Sequence, residues 1–210
     1  MFAALPVALL CLLSVKQAAP LACAGFLKPL DQLKPPQLLG RWALVAGTFN
    51  DSAQLEFFKR RDSASIHVSN ISAASSFTYS PSIYFAGECH RSTHSVSLEG
   101  STLSFDAGNQ LNLTVTFMST SCPDCLLMRF DGSSKRAERL WLFSRRREVE
   151  VEQLEEFRAQ AKCLRMLPPA VLDPTKDPEQ HDEEVILINE MKNLYQKTET
   201  RSEKQNRGLV

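Results

Sequence analysis

The side chains best suited to chemistry in this sequence of 210 residues are thiols and imidazoles. Cys122 and Cys125 form a Cys-x-x-Cys pair, and Cys89 lies beside His90 and close to His94. A structural zinc site usually takes two ligand pairs at short spacing, and the sequence has no second Cys-x-x-Cys pair. We therefore expect no metal site and no cofactor, and we assign the cysteines to disulfide chemistry.

The first residues predict a secreted protein. The apolar run at 2–13 is too short to span a bilayer and is typical of a signal peptide. We place the signal peptide at residues 1–19, although Ala22-Cys23-Ala24 also fits a cleavage site that would extend it to residue 24. No later segment is apolar over about 18 residues, so we expect an extracellular protein without a transmembrane segment.

Three sequons for N-glycosylation, at Asn50, Asn70 and Asn112, fit the same compartment. The formal net charge is +0, which provides no overall attraction to a polyanion. We therefore expect no nucleic-acid partner.

After the first strand, which begins near residue 40, the runs at 65–69 and 111–117 alternate apolar and polar residues with a period of two, which is typical of strands. An early strand is expected over residues 57–68. Turn residues separate the runs about every ten residues, so the strands should form an antiparallel meander that closes as a sandwich or a barrel. A glycan on Asn112 would have to face solvent. The alternate residues of that run would then face the interior: Leu111, Leu113, Val115 and Phe117.

The segment 140–143 is apolar on both faces, so another element must cover its outer side. An amphipathic helix predicted over residues 148–167 is the candidate, because its apolar residues fall at three- and four-residue steps: Val151, Leu154, Phe157, Ala161 and Leu164. Pro168 and Pro169 end this helix. We expect the polar tail, residues 168–210, to be mobile.

The residues Gly40-Arg41-Trp42 at the start of the first strand resemble the signature of the lipocalin family. Asp131, in Phe130-Asp131-Gly132, stands where lipocalins carry a second motif. Arg145 stands where many lipocalins have an arginine over the motif tryptophan, here Trp42, which would be a cation–π contact.

Further motifs resemble one branch of that family. Ser121-Cys122-Pro123 and Leu142-Phe143-Ser144-Arg145 are similar to segments of apolipoprotein M, and the helix ending in Cys163-Leu164-Arg165 is similar to that of orosomucoid (alpha-1-acid glycoprotein). Fish lipocalins that bind saxitoxin and tetrodotoxin belong to the same neighbourhood. The resemblance covers residues 26–167. It implies an all-β fold, an eight-stranded antiparallel up-and-down barrel with one C-terminal α-helix packed on its outside.

The same resemblance implies a disulfide between Cys23 and Cys163. The family's other bridge joins the position of Cys89 to a later cysteine, but no cysteine follows Cys163 here. Either Cys89 pairs with Cys122 or Cys125 across the barrel, which we favour, or Cys122 and Cys125 pair with each other and Cys89 is free.

A lipocalin barrel implies carriage of a small lipophilic or amphiphilic molecule, such as a sphingolipid, a steroid, a drug or a toxin, by a monomer. If Leu140 and Leu142 face the helix, the alternate residues Arg139, Trp141 and Phe143 line the cavity with the interior residues already named. Phe105 replaces an arginine of the orosomucoid pocket, and Phe143 replaces a pocket tyrosine of both relatives. Arg139 and His94 are then the polar candidates, and Arg139 could pair with a phosphate or a sulfate.

Two other functions remain as alternatives. The outer wall or the tail could bind a protein partner, such as a receptor or the proteins of a lipoprotein particle. An enzyme similar to lipocalin-type prostaglandin D synthase would need a cavity cysteine on an early strand, and the predicted strand has none. We therefore expect that the protein is not an enzyme.

Overall fold

The computed structural model describes residues 23–31, 33–70, 76–105, 114–132 and 136–176. The predicted signal peptide, most of the predicted tail and the predicted wall residues Leu111 and Leu113 lie outside these residues, as does Asn112. The described helices are α1 (Pro35–Leu38), α2 (Ser52–Lys59) and α3 (Val151–Cys163). The strands are β1 (Gly40–Phe49), β2 (Arg61–Asn70), β3 (Ser76–Phe85), β4 (Glu88–Arg91), β5 (His94–Glu99), β6 (Thr102–Phe105), β7 (Thr114–Met118), β8 (Cys125–Asp131), β9 (Ala137–Ser144) and β10 (Ala170–Val171).

The sheet closes into a barrel of eight antiparallel strands, which confirms the predicted fold. Hydrogen bonds follow the order β1-β2-β3-β5-β6-β7-β8-β9, and β9 pairs with β1 to complete the circle. β4 and β5 share one barrel position, because β4 pairs with one half of β3 and β5 with the other. Closure leaves one interior, into which every second side chain of each strand points.

One end of the barrel, here called the Trp42 end, is sealed by Trp42 and Arg145. Trp42 is buried, and its Nε1 donates to the backbone oxygen of Leu38 at 2.8 Å. The guanidinium carbon of Arg145 lies 3.5 Å from the centre of the indole ring, as predicted. The same guanidinium donates to three backbone oxygens, those of Gln37, Leu39 and Arg41. Arg145 therefore ties α1 and β1 to the end of β9.

Gly40 allows this close approach. Its φ is +93°, a conformation that residues with a side chain rarely adopt. A Cβ at this position would lie 3.0 Å from Nη1 of Arg145. The first motif residue is therefore required both by the backbone turn into β1 and by the arginine above it.

The opposite end of the barrel, here called the α2 end, is covered by α2, where the sequence predicted the beginning of a strand. The side chain of Asp51 caps this helix by accepting a hydrogen bond from the amide of Gln54 at 2.8 Å. Phe58 points inward and is fully buried, and a Cβ on Gly47 would lie 2.5 Å from its ring. The early strand predicted over residues 57–68 therefore begins later, at Arg61, because the N-cap at Asp51 starts a helix that runs to Lys59.

On the outside of the barrel, α3 packs on β9 as predicted. Phe157 and Ala161 are buried in a cluster with Leu140 and Leu142, the outward residues of β9. The helix is shorter than the predicted 148–167, and Val151 does not pack on the barrel because 68% of it is exposed. None of the helices in the described ranges is long and apolar enough to cross a membrane.

The packed domain continues beyond residue 167, where the sequence placed its boundary. Ala170 and Val171 pair with β1, and the amide of Leu172 donates to the backbone oxygen of Val45 at 2.8 Å. Lys176 forms an ion pair with Asp62 at 2.8 Å. Residues 170–176 therefore form a strap along the barrel.

The disulfides settle the alternatives left open by the sequence. Cys23 pairs with Cys163, as the resemblance implied. Cys122 pairs with Cys125 and Cys89 is a free thiol, so the favoured pairing of Cys89 was wrong. The reason is distance along the barrel: Cys89 lies opposite Tyr84 towards the α2 end, whereas Cys122 and Cys125 are in the turn at the Trp42 end.

We predict that Arg145→Leu will lower the free energy of unfolding by about 2–4 kcal/mol, because it removes a stacked cation and three hydrogen bonds made by a charged donor. Arg145→Lys should recover only part of this loss, since an ammonium cannot stack flat and donate in a fork. Urea unfolding of both variants and of the wild type measures these changes in the free energy of unfolding. Equal stability of Arg145→Leu and the wild type would show that the Trp42 end does not depend on this residue.

Candidate functional site

The barrel interior contains a cavity of about 210 Å³ in the half nearer to α2. Most of its wall is aliphatic and aromatic. The lining residues are Leu44, Arg61, Ala64, Ser65, Ile66, Tyr79, Pro81, Ile83, His94, Phe105, Phe130, Arg139, Trp141 and Phe143.

The other half of the interior is packed solid. On most strands, the inward residues that line the cavity are followed, two positions further towards the Trp42 end, by an inward residue that is buried and does not line it. These floor residues are Trp42 in β1, Val68 in β2, Phe77 in β3, Val96 in β5, Leu103 in β6 and Met128 in β8. The cavity is therefore a cup, and its floor is the core of the barrel.

Five of the residues proposed as cavity wall do line the cup: His94, Phe105, Arg139, Trp141 and Phe143. Two others do not. Val115 and Phe117 point into the barrel, but they are fully buried in its packed half. Phe117 instead borders a groove at the Trp42 end, and the packed floor separates it from the cup. The alternation of apolar and polar residues predicts which side chains point into the barrel. It does not predict how far along the barrel the packed core extends.

The sequence analysis missed Arg61 and Tyr79, which also line the cavity. Counting back from the inward residues Ile66 and Ala64 would make Arg61 point outward. However, the pairing of β2 with β3 shifts register between Arg61 and Ser63. This bulge turns Arg61 to the inner face. A bulge has no reliable sequence signal, so only the structure reveals it.

Arg61 and Arg139 both lie over the ring of Trp141, and each lies over one further aromatic ring. The guanidinium carbons are 5.5 and 5.6 Å from the ring of Trp141. Arg61 also lies 5.0 Å from the ring of Phe58, and Arg139 lies 5.5 Å from that of Phe130. These cation–π contacts hold both cations at the α2 end of the cup.

Burial makes both charges costly. Desolvation, with a smaller contribution from the charge of Arg139, lowers the pKa of Arg61 from its usual value to about 10. Burial likewise lowers the pKa of Arg139, against the opposite effect of the Glu138 carboxylate. A guanidinium keeps its proton in proteins at neutral pH. The cup therefore carries two positive charges in surroundings that do not favour them.

Several donors in this region have no hydrogen-bond partner among the described residues. They are Nε and Nη1 of Arg61, Nε of Arg139 and Nε1 of Trp141. A buried donor without a partner costs about 1–3 kcal/mol. Such a group in a native structure requires an explanation, and a ligand that accepts hydrogen bonds is one.

Tyr79 supplies a neutral hydroxyl to the wall. Burial raises its pKa above the usual value of 10, although the charges of Arg139 and Arg61 act in the opposite direction. Its ring meets that of Phe105 edge-on at 5.8 Å, and that of His94 lies 6.5 Å away. Tyr79 therefore does not titrate near neutral pH.

The remaining predicted residues lie away from the cup. Asp131, at the end of β8, pairs with Nε of Arg129 at 2.8 Å. Asn50 is exposed just after β1, and the backbone of Asn70 ends β2. Within the part of the chain that the structure describes, no group of three His, Cys, Asp or Glu side chains could hold a metal ion.

The family model of the ApoM domain matches residues 9–182. One solved structure similar to the barrel is that of the siderocalin Ex-FABP, titled as functioning through dual ligand specificities. The two sequences are 17% identical over a match that covers 68% of this chain and 93% of the Ex-FABP chain. The TM-score is 0.56, which shows a common fold. A search of curated proteins found no match.

We predict that Arg61→Met will raise the free energy of unfolding of the empty protein at pH 7 by about 1 kcal/mol, because it removes a desolvated charge. The sign follows from linkage. Between the folded pKa of about 10 and the unfolded value, the unfolded state binds more protons, so this group favours folding more as pH rises. At pH 7 its full cost is present. Thermal unfolding measures the change.

Arg60→Met is the matched control. Arg60 lies over the rings of Phe57 and Phe85, is exposed and does not line the cup. Its replacement should change stability by less than about 0.5 kcal/mol. If Arg61→Met destabilises the empty protein as a large core truncation would, the charge is not a burden on the fold.

Proposed function

The chain belongs to the ApoM domain family of lipocalins, and from that premise we propose that it is a secreted carrier of one small lipophilic or amphiphilic molecule, held in the cup. The observation that supports this most strongly is the cup itself. An apolar cavity with a few converging polar groups is the usual form of a small-molecule site. Here the side chains of Arg61, Arg139 and Trp141 carry buried donors that have no partner among the described residues.

The contacts indicate how such a molecule would be oriented. Its apolar part would lie against Ile66, Phe105 and Phe143, which line the wall. Its polar part would lie at the α2 end, within reach of Arg139. Phe58 of α2 is fully buried beside this end, and its ring contacts that of Trp141.

Secretion is part of the proposal. The predicted signal peptide and the sequons support it, as do the two disulfides, since such bonds persist mainly in oxidising compartments. Asn50 is exposed at the α2 end, where a glycan would not disturb the barrel.

The enzymatic alternative finds no support in the described cavity. A thiol-dependent lipocalin enzyme would need a cysteine in its wall, and the lining residues include none. The free thiol of Cys89 is on β4, outside that wall. Carriage needs only the cup and its donors, so it is the function that we propose.

Filling the cup should abolish binding without unfolding the protein. Ala64 lines the cavity, so Ala64→Phe would place a ring in space that is now empty, at little cost where the ring fits. Calorimetric titration with octanol and octanoate should give micromolar binding to the wild type. The Ala64→Phe variant should bind at least tenfold more weakly.

Ala53→Phe is the matched control, because Ala53 is on the exposed side of α2. This variant adds the same ring to the surface and should bind as the wild type does. If Ala64→Phe binds as well as the wild type, the ligand does not occupy the cup.

Removing residues 177–210 separates carriage from a partner site in the tail. The strap up to Lys176 stays in place, so the shortened protein should keep wild-type affinity for octanoate. Loss of octanoate binding together with an unchanged melting temperature would contradict the assignment of the site to the cup.

A further inference from the structure

We infer that the ligand is a compact organic anion: an aromatic or short-chain phosphate, sulfate or carboxylate whose charged group is bound between Arg61 and Arg139. This inference rests on the proposed function, because it names the class of molecule that the cup accepts. Charge, hydrogen-bond geometry and volume support it separately.

Two cations face the cup, and the carboxylate of Glu138, whose charge raises the pKa of Arg139, lies outside the lining. Arg61 and Arg139 both line it, and none of the described lining residues is Asp or Glu. Each arginine side chain also lacks a hydrogen-bond partner at Nε. A bound anion would offset the charges that burial disfavours, whereas a bound cation would add a third one.

Each guanidinium has aromatic neighbours and polar hydrogens without partners. The guanidinium carbon of Arg61 lies over the rings of Phe58 and Trp141, and that of Arg139 lies over the rings of Phe130 and Trp141. The N–H groups without a described partner are buried, so they gain a hydrogen bond only from an acceptor placed against them. Guanidinium donors match the oxygens of phosphate and carboxylate.

Trp141 adds a fourth donor to the same place. Its Nε1 is buried and has no partner among the described residues, and its ring is the one that both arginines share. An indole N–H can only donate. Four such donors on three neighbouring side chains are matched better by an acceptor with several oxygens than by a single hydroxyl or an amine.

The size of the cup limits the rest of the molecule. A cavity of about 210 Å³ is smaller than the sites of drug-sized ligands, which start at about 300 Å³. The packed floor beneath Phe143 and Phe105 blocks extension towards the Trp42 end. The cup therefore suits a single aromatic ring with a charged group better than a long alkyl chain.

The expected ligand differs from two other classes of molecule that lipocalin barrels could hold. A guanidinium toxin would meet two arginines, and a long-chain lipid would meet the floor. Arg61 contributes to both the charge and the donors only because of the bulge in β2. The arginine pair is thus a property of this chain's own residues.

Calorimetric titration of the full-length protein with phenyl phosphate, dodecyl phosphate below its micelle concentration, and benzylguanidinium tests the inference. Phenyl phosphate should bind at least tenfold more tightly than either of the others. Arg61→Gln and Arg139→Gln should each weaken phenyl phosphate binding at least tenfold, while the affinity for the neutral probe benzyl alcohol changes by less than threefold.

Arg60→Gln is the control, since this neighbouring arginine stacks on rings outside the cup and should leave all affinities unchanged. Circular dichroism melting of each variant establishes that it is folded. If Arg61→Gln does not fold, Arg61→Lys keeps the charge without the fork and should still lose affinity for phenyl phosphate.

The outcomes distinguish the inference from the function beneath it. Tightest binding of dodecyl phosphate or benzylguanidinium would overturn the compact anion and leave the carrier intact. Equal loss of phenyl phosphate and benzyl alcohol binding in the arginine variants would also overturn it, because the arginines would then only shape the cup. Failure of every probe, octanol included, would overturn the carrier itself.

Discussion

The barrel has a single closed interior, and the structure depends on how that space is divided. Aromatic and aliphatic side chains fill the half at the Trp42 end, where the guanidinium carbon of Arg145 lies 3.5 Å from the centre of the indole ring of Trp42 and the guanidinium donates to three backbone oxygens between residues 37 and 41. The sealed and packed half provides the core that stabilises the fold. It also provides the floor that sets the depth of the cup. Stability and ligand size are therefore determined by the same residues.

The α2 end has the opposite character. Arg61, Arg139 and Trp141 keep donors there that no described residue accepts, and the two cations are desolvated. Such an arrangement lowers the stability of the empty protein and is typical of a site prepared for a ligand. Phe58 covers it from α2, a short helix held by the Asp51 cap. The unfavourable groups of the described barrel are thus concentrated at the α2 end.

Much of this could be predicted from the sequence. Gly40 and Trp42 indicated the first strand and the sealed end, and alternation along β9 placed Arg139, Trp141 and Phe143 on the inner face. The remainder depended on features without a local signal. A bulge brought Arg61 inward, an N-cap started a helix within an apparent strand, and the floor excluded Phe117 from the wall. The sequence also could not show that Cys122 pairs with Cys125, because this pairing depends on Cys89 lying towards the other end of the barrel.

Native mass spectrometry of the secreted, deglycosylated protein, followed by extraction and identification of the bound molecule, tests the central claim most directly. The account predicts one small molecule per chain, with an acidic group and a body no larger than one ring or a short chain. That molecule should be absent when Ala64→Phe fills the cup. A protein that is secreted empty and takes up none of the small amphiphiles offered to it would contradict the account, because the unpartnered donors of the cup would then have no acceptor to explain them.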